Sequence, residues 1–225
     1  ADNIISPLGM TTSENYSEIK VGHSRLCRYQ NRCDIPDAFM ASLFSPEQWK
    51  ELKITGNYTR YESILIHSVT SALEQTHIDV SSGRVIFILS TTKGNIERLE
   101  YEKVLQNRLT LSDSPLSDEG KDRHLQEEQV RIGYSAQVVA GYFHNPNIPV
   151  TVCNACTSGL CAQIAAKRVL ESGRYDAAVV AGSDVLSRFI ISGFHSFRAL
   201  SGRECRPFDI NRCGLNLGEA AACMI

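Results

Sequence analysis

The sequence lacks long apolar runs and an excess of basic charge. Its 23 Lys and Arg residues stand against 25 Asp and Glu, for a formal net charge of −2, and the charges are interspersed. A basic face of the kind that binds the phosphates of nucleic acids is therefore not expected. The longest apolar runs, such as residues 85–89, are too short to span a bilayer, and the first residues lack the basic-then-apolar layout of a signal peptide. We expect a cytoplasmic protein with neither a nucleic-acid nor a membrane partner.

Cysteine is present but sparse. The chain has 8 cysteines among 225 residues, too few for a disulfide scaffold at this length. In a reducing compartment they are expected to be buried apolar side chains or reactive thiols. With 43% hydrophobic and 21% charged residues, the chain can bury a substantial core, and one large domain is the default expectation.

Helical and apolar segments alternate along most of the chain. Leu65, Val69, Ala72 and Leu73 have the spacing of one helix face, which predicts a helix over residues 61–76. The other predicted elements are helices over 95–109, 126–144 and 157–172, strands over 3–6, 84–90, 149–153 and 176–182, a loop over 110–124, a turn at a crevice over 90–94, and irregular structure up to about residue 57. This alternation predicts an α/β fold with a largely parallel sheet.

Cys156 stands where a predicted strand meets a predicted helix. The strand ends in a turn of small residues and the helix begins directly after the cysteine. The free backbone N–H groups and the positive end of the helix dipole would favour the thiolate, and could also stabilise an oxyanion on a bound thioester. The following helix is apolar nearly all round until Lys167, so we expect it to be deeply buried and to support the thiol rigidly.

Two other interpretations of Cys156 remain open on these residues alone. A small buried cysteine is the commoner case for a free thiol. Together with Cys153 it also forms a C-x-x-C pair, which is found in redox and zinc sites. A structural zinc site needs four ligands, and the sequence has no second pair, since Cys205 and Cys213 are wrongly spaced. We therefore expect no metal.

Four segments resemble the motifs of one enzyme family, in the family's order. Residues 151–159 read T-V-C-N-A-C-T-S-G, similar to the active-site turn T-V-x-T-A-C-x-S-G, and residues 206–219 read R-P-F-D-I-N-R-C-G-L-N-L-G-E, similar to R-P-F-D-x-x-R-D-G-F-x-x-G-E. Between them, residues 173–184 and 193–201 resemble the stretches G-x-x-D-x-x-x-x-G-x-x and G-F-x-x-x-R-A-L-S. These are motifs of the β-ketoacyl-[acyl-carrier-protein] synthases, in the thiolase superfamily.

The resemblance implies a fold and a reaction. The fold is thiolase-like α/β, and residues 1–225 correspond to the N-terminal half, with a mixed five-stranded sheet and flanking helices; the family's two catalytic histidines and its lysine belong to a C-terminal half that is absent from the chain. Cys156 is the nucleophile that takes an acyl group from acyl carrier protein. Malonyl-carrier protein then loses carbon dioxide, and its carbanion attacks the acyl-enzyme. No cofactor is implied.

The resemblance also implies binding residues and partners. Phe194 matches a residue that lines the acyl pocket, Leu215 replaces an aromatic residue near that pocket, and Arg198 lies near the mouth of the pantetheine channel, where it meets the carrier protein or is simply solvated. The edge strand over residues 150–153 implies a homodimer or a ketosynthase heterodimer. The family's basic docking cluster is reduced here to Arg60. The histidines fall outside the matching motifs and are interpreted as structural or surface residues: His23, His67, His77, His124, His144 and His195. Only His195, which follows Phe194, is expected near the substrate.

Departures from the motifs keep two alternatives open. Cys213 replaces an aspartate, Ala220 a glycine and Asn154 a threonine, so a non-catalytic ketosynthase-like partner subunit is one alternative. The presence of Cys156 argues against it, because the corresponding position of a chain-length factor is not cysteine. The second alternative is a thiolase that depends on coenzyme A, and the R-P-F-D stretch at residues 206–209 argues against a thiolase. The acyl length and the pathway, whether fatty acid, polyketide or aryl polyene synthesis, stay open.

Overall fold

The computed structural model describes residues 1–31, 35, 37–98 and 128–225. The predicted loop over 110–124, which includes His124, lies outside the described residues, as does the predicted helix over 95–109 from residue 99 onward. None of the helices in the described part is long and apolar enough to cross a membrane.

Within the described residues, eight strands form two sheets. In chain order the strands are β1 (Asp2–Ile5), β2 (Leu26–Tyr29), β3 (Phe39–Ser42), β4 (Val85–Ser90), β5 (Val150–Val152), β6 (Ala177–Asp184), β7 (Leu217–Gly218) and β8 (Ala220–Met224). The larger sheet has the order β1-β8-β6-β4-β5, with β4 parallel to β5 and β6, and β8 antiparallel to β6 and β1. This is the mixed five-stranded sheet that the sequence predicts.

Six described helices surround the strands. They are α1 (Thr12–Lys20), α2 (Pro46–Glu51), α3 (Arg60–Leu73), α4 (Ile132–Tyr142), α5 (Ser158–Glu171) and α6 (Arg188–Ser196). The predicted helices over 61–76 and 157–172 are confirmed as α3 and α5, and the helix predicted over 126–144 is confirmed in part as α4. Helix α3 begins where Thr59 accepts a hydrogen bond from the Glu62 amide and Glu62 in return accepts from Thr59, a capping box.

The helices cover the two faces of the larger sheet separately. Apolar residues of α3 and α4 pack with Phe87 and Leu89 of β4 and with Val179 of β6 in the main core. On the opposite face, Ala162 and Ala166 of α5 pack against Ile86 and Ile88 of the same strand β4. Strand β4 is thus buried on both sides, which explains its continuous apolar sequence.

The expectation of irregular structure before residue 57 is wrong. This stretch contains α1, α2 and the strands β2 and β3, which form a three-stranded sheet with β7 in the order β2-β3-β7. The elements are short, and α1 buries only Asn15 among its residues, so they carry too little apolar periodicity to be recognised. Their start signals were nevertheless present, because Thr11 with Glu14 and Ser45 with Gln48 form capping boxes.

The expectation of a deeply buried α5 is also wrong. Its buried residues are Ser158, Ala162 and Ala166, while Leu160 is 60% exposed and Ile164 is 42% exposed. The small side chains on one face allow close approach to the sheet. In the described part of the chain, the larger apolar side chains of the opposite face project away from that contact.

Candidate active site

A cleft opens at the carboxyl ends of the parallel strands. The connection after β4 leads to α4 on one face of the sheet, whereas the connection after β5 leads directly to α5 on the other face. Successive connections that leave on opposite faces create a crevice beyond the strand ends, which is the usual ligand site of open α/β sheets. The predicted turn over residues 90–94 is confirmed at this edge.

Cys156 lies in the turn between β5 and α5, one residue before the helix N-cap, Thr157. The turn is closed by a hydrogen bond from the Thr157 amide to the Asn154 carbonyl, 3.1 Å. Ser158 Oγ accepts from the Asn154 amide at 2.8 Å and donates to the Ala155 carbonyl at 2.7 Å. These bonds hold the cysteine in an elbow at the amino end of α5, and its side chain is exposed.

The elbow requires an unusual backbone conformation. Ala155 has φ of 47°, in the left-handed region that costs a residue with a Cβ about 1–2 kcal/mol. Such conformations persist where the surrounding structure imposes them, and they concentrate at functional sites. The small side chain of Ala155 keeps the cost low and leaves Cys156 directed at the cleft.

The cleft has a volume of about 910 Å³. Cys156, Ser158 and Gln163 line it from the elbow and α5, and Phe194 lines it from α6. None of the described histidines lies in its wall. The structure therefore brings together two of the four predicted site residues, the predicted nucleophile Cys156 and the predicted acyl-pocket residue Phe194.

The other two predicted residues lie elsewhere. Arg198 lines a second cavity of about 480 Å³, where His195 Nε2 is 2.9 Å from Asp37 Oδ2. Helix α6 ends between Phe194 and Arg198, and a positive φ of 54° at Arg198 turns the chain into this second cavity. Leu215 lines neither cavity; it is 52% exposed, and its amide donates to the Ala199 carbonyl at 2.7 Å.

A cation, Lys93, and a hydroxyl group, that of Thr91, are additions to the predicted site. The Thr91 amide donates to the Val152 carbonyl at 3.1 Å, which ties the turn after β4 to the strand before Cys156. Thr91 Oγ1 accepts from the amides of Lys93 at 3.2 Å and Gly94 at 2.9 Å. Lys93 Nζ lies 3.5 Å from Asp184 Oδ1 at the end of β6. In the sequence, Lys93 follows closely after the apolar strand β4, and this was the available signal for a cation at the strand ends.

Glu219 is a buried carboxylate beside the cleft that sequence reasoning left without a role. One of its oxygens accepts from the Phe44 amide at 3.0 Å and the other from the Leu186 amide at 3.1 Å. Burial raises the pKa of this carboxyl, while the two amide donors and the charge of Arg60 act in the opposite direction. Glu219 thus joins the ends of β3 and β6, and the latter leads into the helix that carries Phe194.

Two further residues with sequence interest have internal partners. The Arg60 guanidinium donates to Glu97 Oε2 at 2.9 and 3.1 Å and lies over the Trp49 ring at 5.0 Å. Cys213 Sγ lies 3.2 Å from Ser201 Oγ, and this hydrogen bond, with the nearby charge of Arg203, lowers the pKa of the thiol. The sulfur occupies the position where the family motif has a carboxylate.

The C-x-x-C pair does not form part of a metal centre in the described structure. Cys153 and Cys156 are both exposed free thiols. Within residues 1–31, 35, 37–98 and 128–225, no group of three or more His, Cys, Asp or Glu side chains is arranged to hold a metal ion.

Comparisons with known proteins agree with this geometry. The family model described as "Beta-ketoacyl synthase, N-terminal domain" matches residues 57–225. A 3-oxoacyl-[acyl-carrier-protein] synthase 2 of Coxiella burnetii is 26% identical over 239 residues, covering 99% of this chain and 55% of that protein. A putative polyketide β-ketoacyl synthase 1 of Streptomyces cyaneus is 28% identical over 184 residues, covering 74% of this chain and 41% of that protein. The chain therefore spans about half the length of these curated relatives.

A solved structure shows the same fold. A ketosynthase from Xenorhabdus doucetiae, in complex with its chain length factor, superimposes with a TM-score of 0.73 at 21% identity, covering 99% of this chain and 55% of that one. At this identity the likeness concerns the fold alone. The predicted thiolase-like α/β architecture is confirmed by it.

Proposed function

Because this chain belongs to the β-ketoacyl synthase family, whose N-terminal domain it matches over residues 57–225, we propose that Cys156 is the acyl-accepting nucleophile of a β-ketoacyl-[acyl-carrier-protein] synthase. The observation that carries the proposal is the position of this thiol. It lies on a left-handed elbow at the amino end of a helix and in the wall of a cleft beyond the parallel strand ends.

The proposed first step is acyl transfer to sulfur. The Cys156 thiolate attacks the carbonyl carbon of an acyl-carrier thioester, and the carrier's thiolate leaves with its bonding electron pair. Backbone N–H groups at the elbow and the first turn of α5 are the proposed donors to the developing oxyanion. In the second step malonyl-carrier protein loses carbon dioxide, and its carbanion attacks the acyl-cysteine. The Cys156 thiolate leaves, and a β-ketoacyl thioester is released.

We further propose that residues 1–225 correspond to the N-terminal half of the synthase. The support is the share of the curated relatives that the chain covers, 55% and 41% of their lengths. Decarboxylation in this family uses histidines of the C-terminal half, so residues 1–225 alone are expected to accept an acyl group without condensing it. A cytoplasmic location is part of the proposal, because the nucleophile must remain a reduced thiol.

The proposed partners are acyl carrier protein and a second ketosynthase chain. Arg198 is a candidate contact for the acidic carrier, since its guanidinium lies at an exposed turn beside the second cavity. Among the described strands, β5 lies at the edge of the larger sheet, so it is a candidate dimer strand for a homodimer or a ketosynthase heterodimer.

Selective acylation tests the proposal. The purified chain is incubated with a hexanoyl-carrier protein and, separately, with hexanoyl-coenzyme A, and acyl-cysteine is located by peptide mass mapping. We expect the acyl group on Cys156 from the carrier thioester, its loss in Cys156→Ala, and its retention in the matched control Cys153→Ala. Equal, slow modification of the exposed cysteines would support a non-catalytic partner, and a preference for the coenzyme A thioester would support a thiolase.

A further inference from the structure

We propose that Lys93 is a carboxylate-binding residue of the Cys156 cleft, so that this cleft selects acyl groups that carry a carboxylate at their far end. The inference rests on the proposed role of Cys156 and adds a class of substrate to it. Of the side chains that the structure places in the cleft wall, Lys93 is the only cation.

The strand register places Lys93 at the same end of the sheet as Cys156, and both line the cleft. Ser90, the last residue of β4, pairs with Val152 of β5 on one side and with Gly182 of β6 on the other. The turn that follows therefore lies between the elbow of Cys156 and the end of β6. Its two hydrogen bonds to Thr91 Oγ1 fix the backbone of Lys93 in this position.

The ammonium group is partly withdrawn from water and incompletely paired. The Lys93 side chain is 22% exposed, and its ion-pair partner Asp184, at a distance of 3.5 Å, is 53% exposed. This distance exceeds the 2.7–2.9 Å typical of a strong charge-assisted hydrogen bond, and a pair this open to solvent contributes little stability. An ammonium has three N–H donors, so Lys93 can bind a second carboxylate while it remains near Asp184.

The other carboxylates in the cleft wall already have donors. Asp2 Oδ1 accepts from the Thr12 hydroxyl at 2.6 Å, at the opposite edge of the sheet from β5. Glu219 accepts from two backbone amides. Neither needs Lys93 as its partner. A cation beside an otherwise largely apolar acyl site disfavours a plain hydrocarbon chain, since that chain would strip water from the ammonium without replacing its hydrogen bonds.

Two alkylating agents that differ only in charge test the site without requiring turnover. Iodoacetate carries a carboxylate and iodoacetamide is its neutral counterpart. The rate of each at Cys156 is measured by peptide mapping at low ionic strength, and their ratio is compared between wild type and Lys93→Met. Loss of the cation also changes the thiolate fraction, but that affects both reagents equally and cancels in the ratio.

We expect the iodoacetate-to-iodoacetamide ratio at Cys156 to fall about three- to tenfold in Lys93→Met, the effect of one unit charge at several ångströms in a partly aqueous cleft. Lys93→Arg should retain the ratio and Asp184→Asn should raise it. The matched control Lys167→Met, an exposed lysine on α5 that pairs with Glu171, should leave it unchanged. In 1 M salt the wild-type ratio should fall toward that of Lys93→Met, because the Debye length shrinks to about 3 Å.

Thioesters then test the acyl substrate directly. Acylation of Cys156 by glutaryl and pentanoyl thioesters of N-acetylcysteamine compares an acyl donor that ends in a carboxylate with its neutral counterpart, and malonyl against propionyl repeats the comparison with a shorter chain. A preference for the carboxylate-bearing donor that is lost in Lys93→Met supports the site.

An unchanged alkylation ratio in Lys93→Met and in Asp184→Asn, with Cys156 still the fastest thiol, would overturn the carboxylate site and leave the nucleophile assignment intact. If Lys93→Met does not fold, Asp184→Asn and the salt series in wild type decide the question. Slow, unselective labelling of Cys156 would instead refute the proposed function.

Discussion

Gly182 provides a sharp test of the close approach between the two central strands at the cleft. It lies in β6 opposite Ser90, the last residue of β4, and both residues line the cleft. A Cβ at position 182 would overlap the Ser90 hydroxyl oxygen and would lie 2.9 Å from the Ser90 carbonyl oxygen. The hydroxyl can rotate away, but the carbonyl is backbone and can move only with the strand.

We therefore expect Gly182→Ala to destabilise the protein. Inserting a methyl group into a close-packed site typically costs about 1–3 kcal/mol, and the backbone overlap places this site in the middle of that range, about 2 kcal/mol. For a chain of this size, 2 kcal/mol lowers the melting temperature by about 4–8 °C. Removing the Ser90 hydroxyl relieves one of the two overlaps, so Ser90→Ala/Gly182→Ala should recover about 1 kcal/mol relative to additivity.

Urea denaturation of the four proteins in this cycle measures the coupling free energy. The matched control is Gly141→Ala in α4, where a Cβ would meet nothing within 4 Å. This exposed helical glycine should become about 0.5–1 kcal/mol more stable as alanine. Equal effects of the two glycine substitutions, or additivity in the cycle, would contradict the close approach of β4 and β6 on which the cleft geometry depends.

Two predictions concern ionisation. The pKa of Cys213 is lowered by its hydrogen bond to Ser201, so alkylation of Cys213 should persist to lower pH in wild type than in Ser201→Ala. Burial raises the pKa of Cys223 to about 12, so this thiol should react only after denaturation, and fast native labelling of Cys223 would contradict its placement. The raised pKa of Glu219 means that its stabilising contribution is fully present below its unfolded value of 4.5 and is lost as the pH rises through the folded value. Urea titrations measure the unfolding free energy of Glu219→Gln and of wild type, and the difference, variant minus wild type, should therefore increase from pH 4.5 to pH 8. A decrease would show that the effect of the amide donors on the pKa of Glu219 outweighs the effect of burial.

The elements around Cys156 were predictable because their signals are local. Strand β4 is a continuous apolar run, α3 has the spacing of an amphipathic helix, and the turn before α5 carries the motif residues themselves. The early elements failed for the opposite reason. Strands β2 and β3 have 4 residues each, too few for a period to be read, and their sheet is completed by the 2-residue strand β7, which is distant in the sequence.

The sequence by itself determined the α/β class, the family and the strand-to-helix turn that carries Cys156, since each of these depends on residues close together along the chain. Tertiary structure decided which side chains share the cleft. It separates Arg198 from Phe194, although only three residues lie between them, because the end of α6 and a left-handed residue turn the chain away. It also brings Lys93 and Asp184 to the site of Cys156, because parallel strands align their carboxyl ends at one edge of the sheet. No local pattern encodes that alignment, which depends on strand order and register.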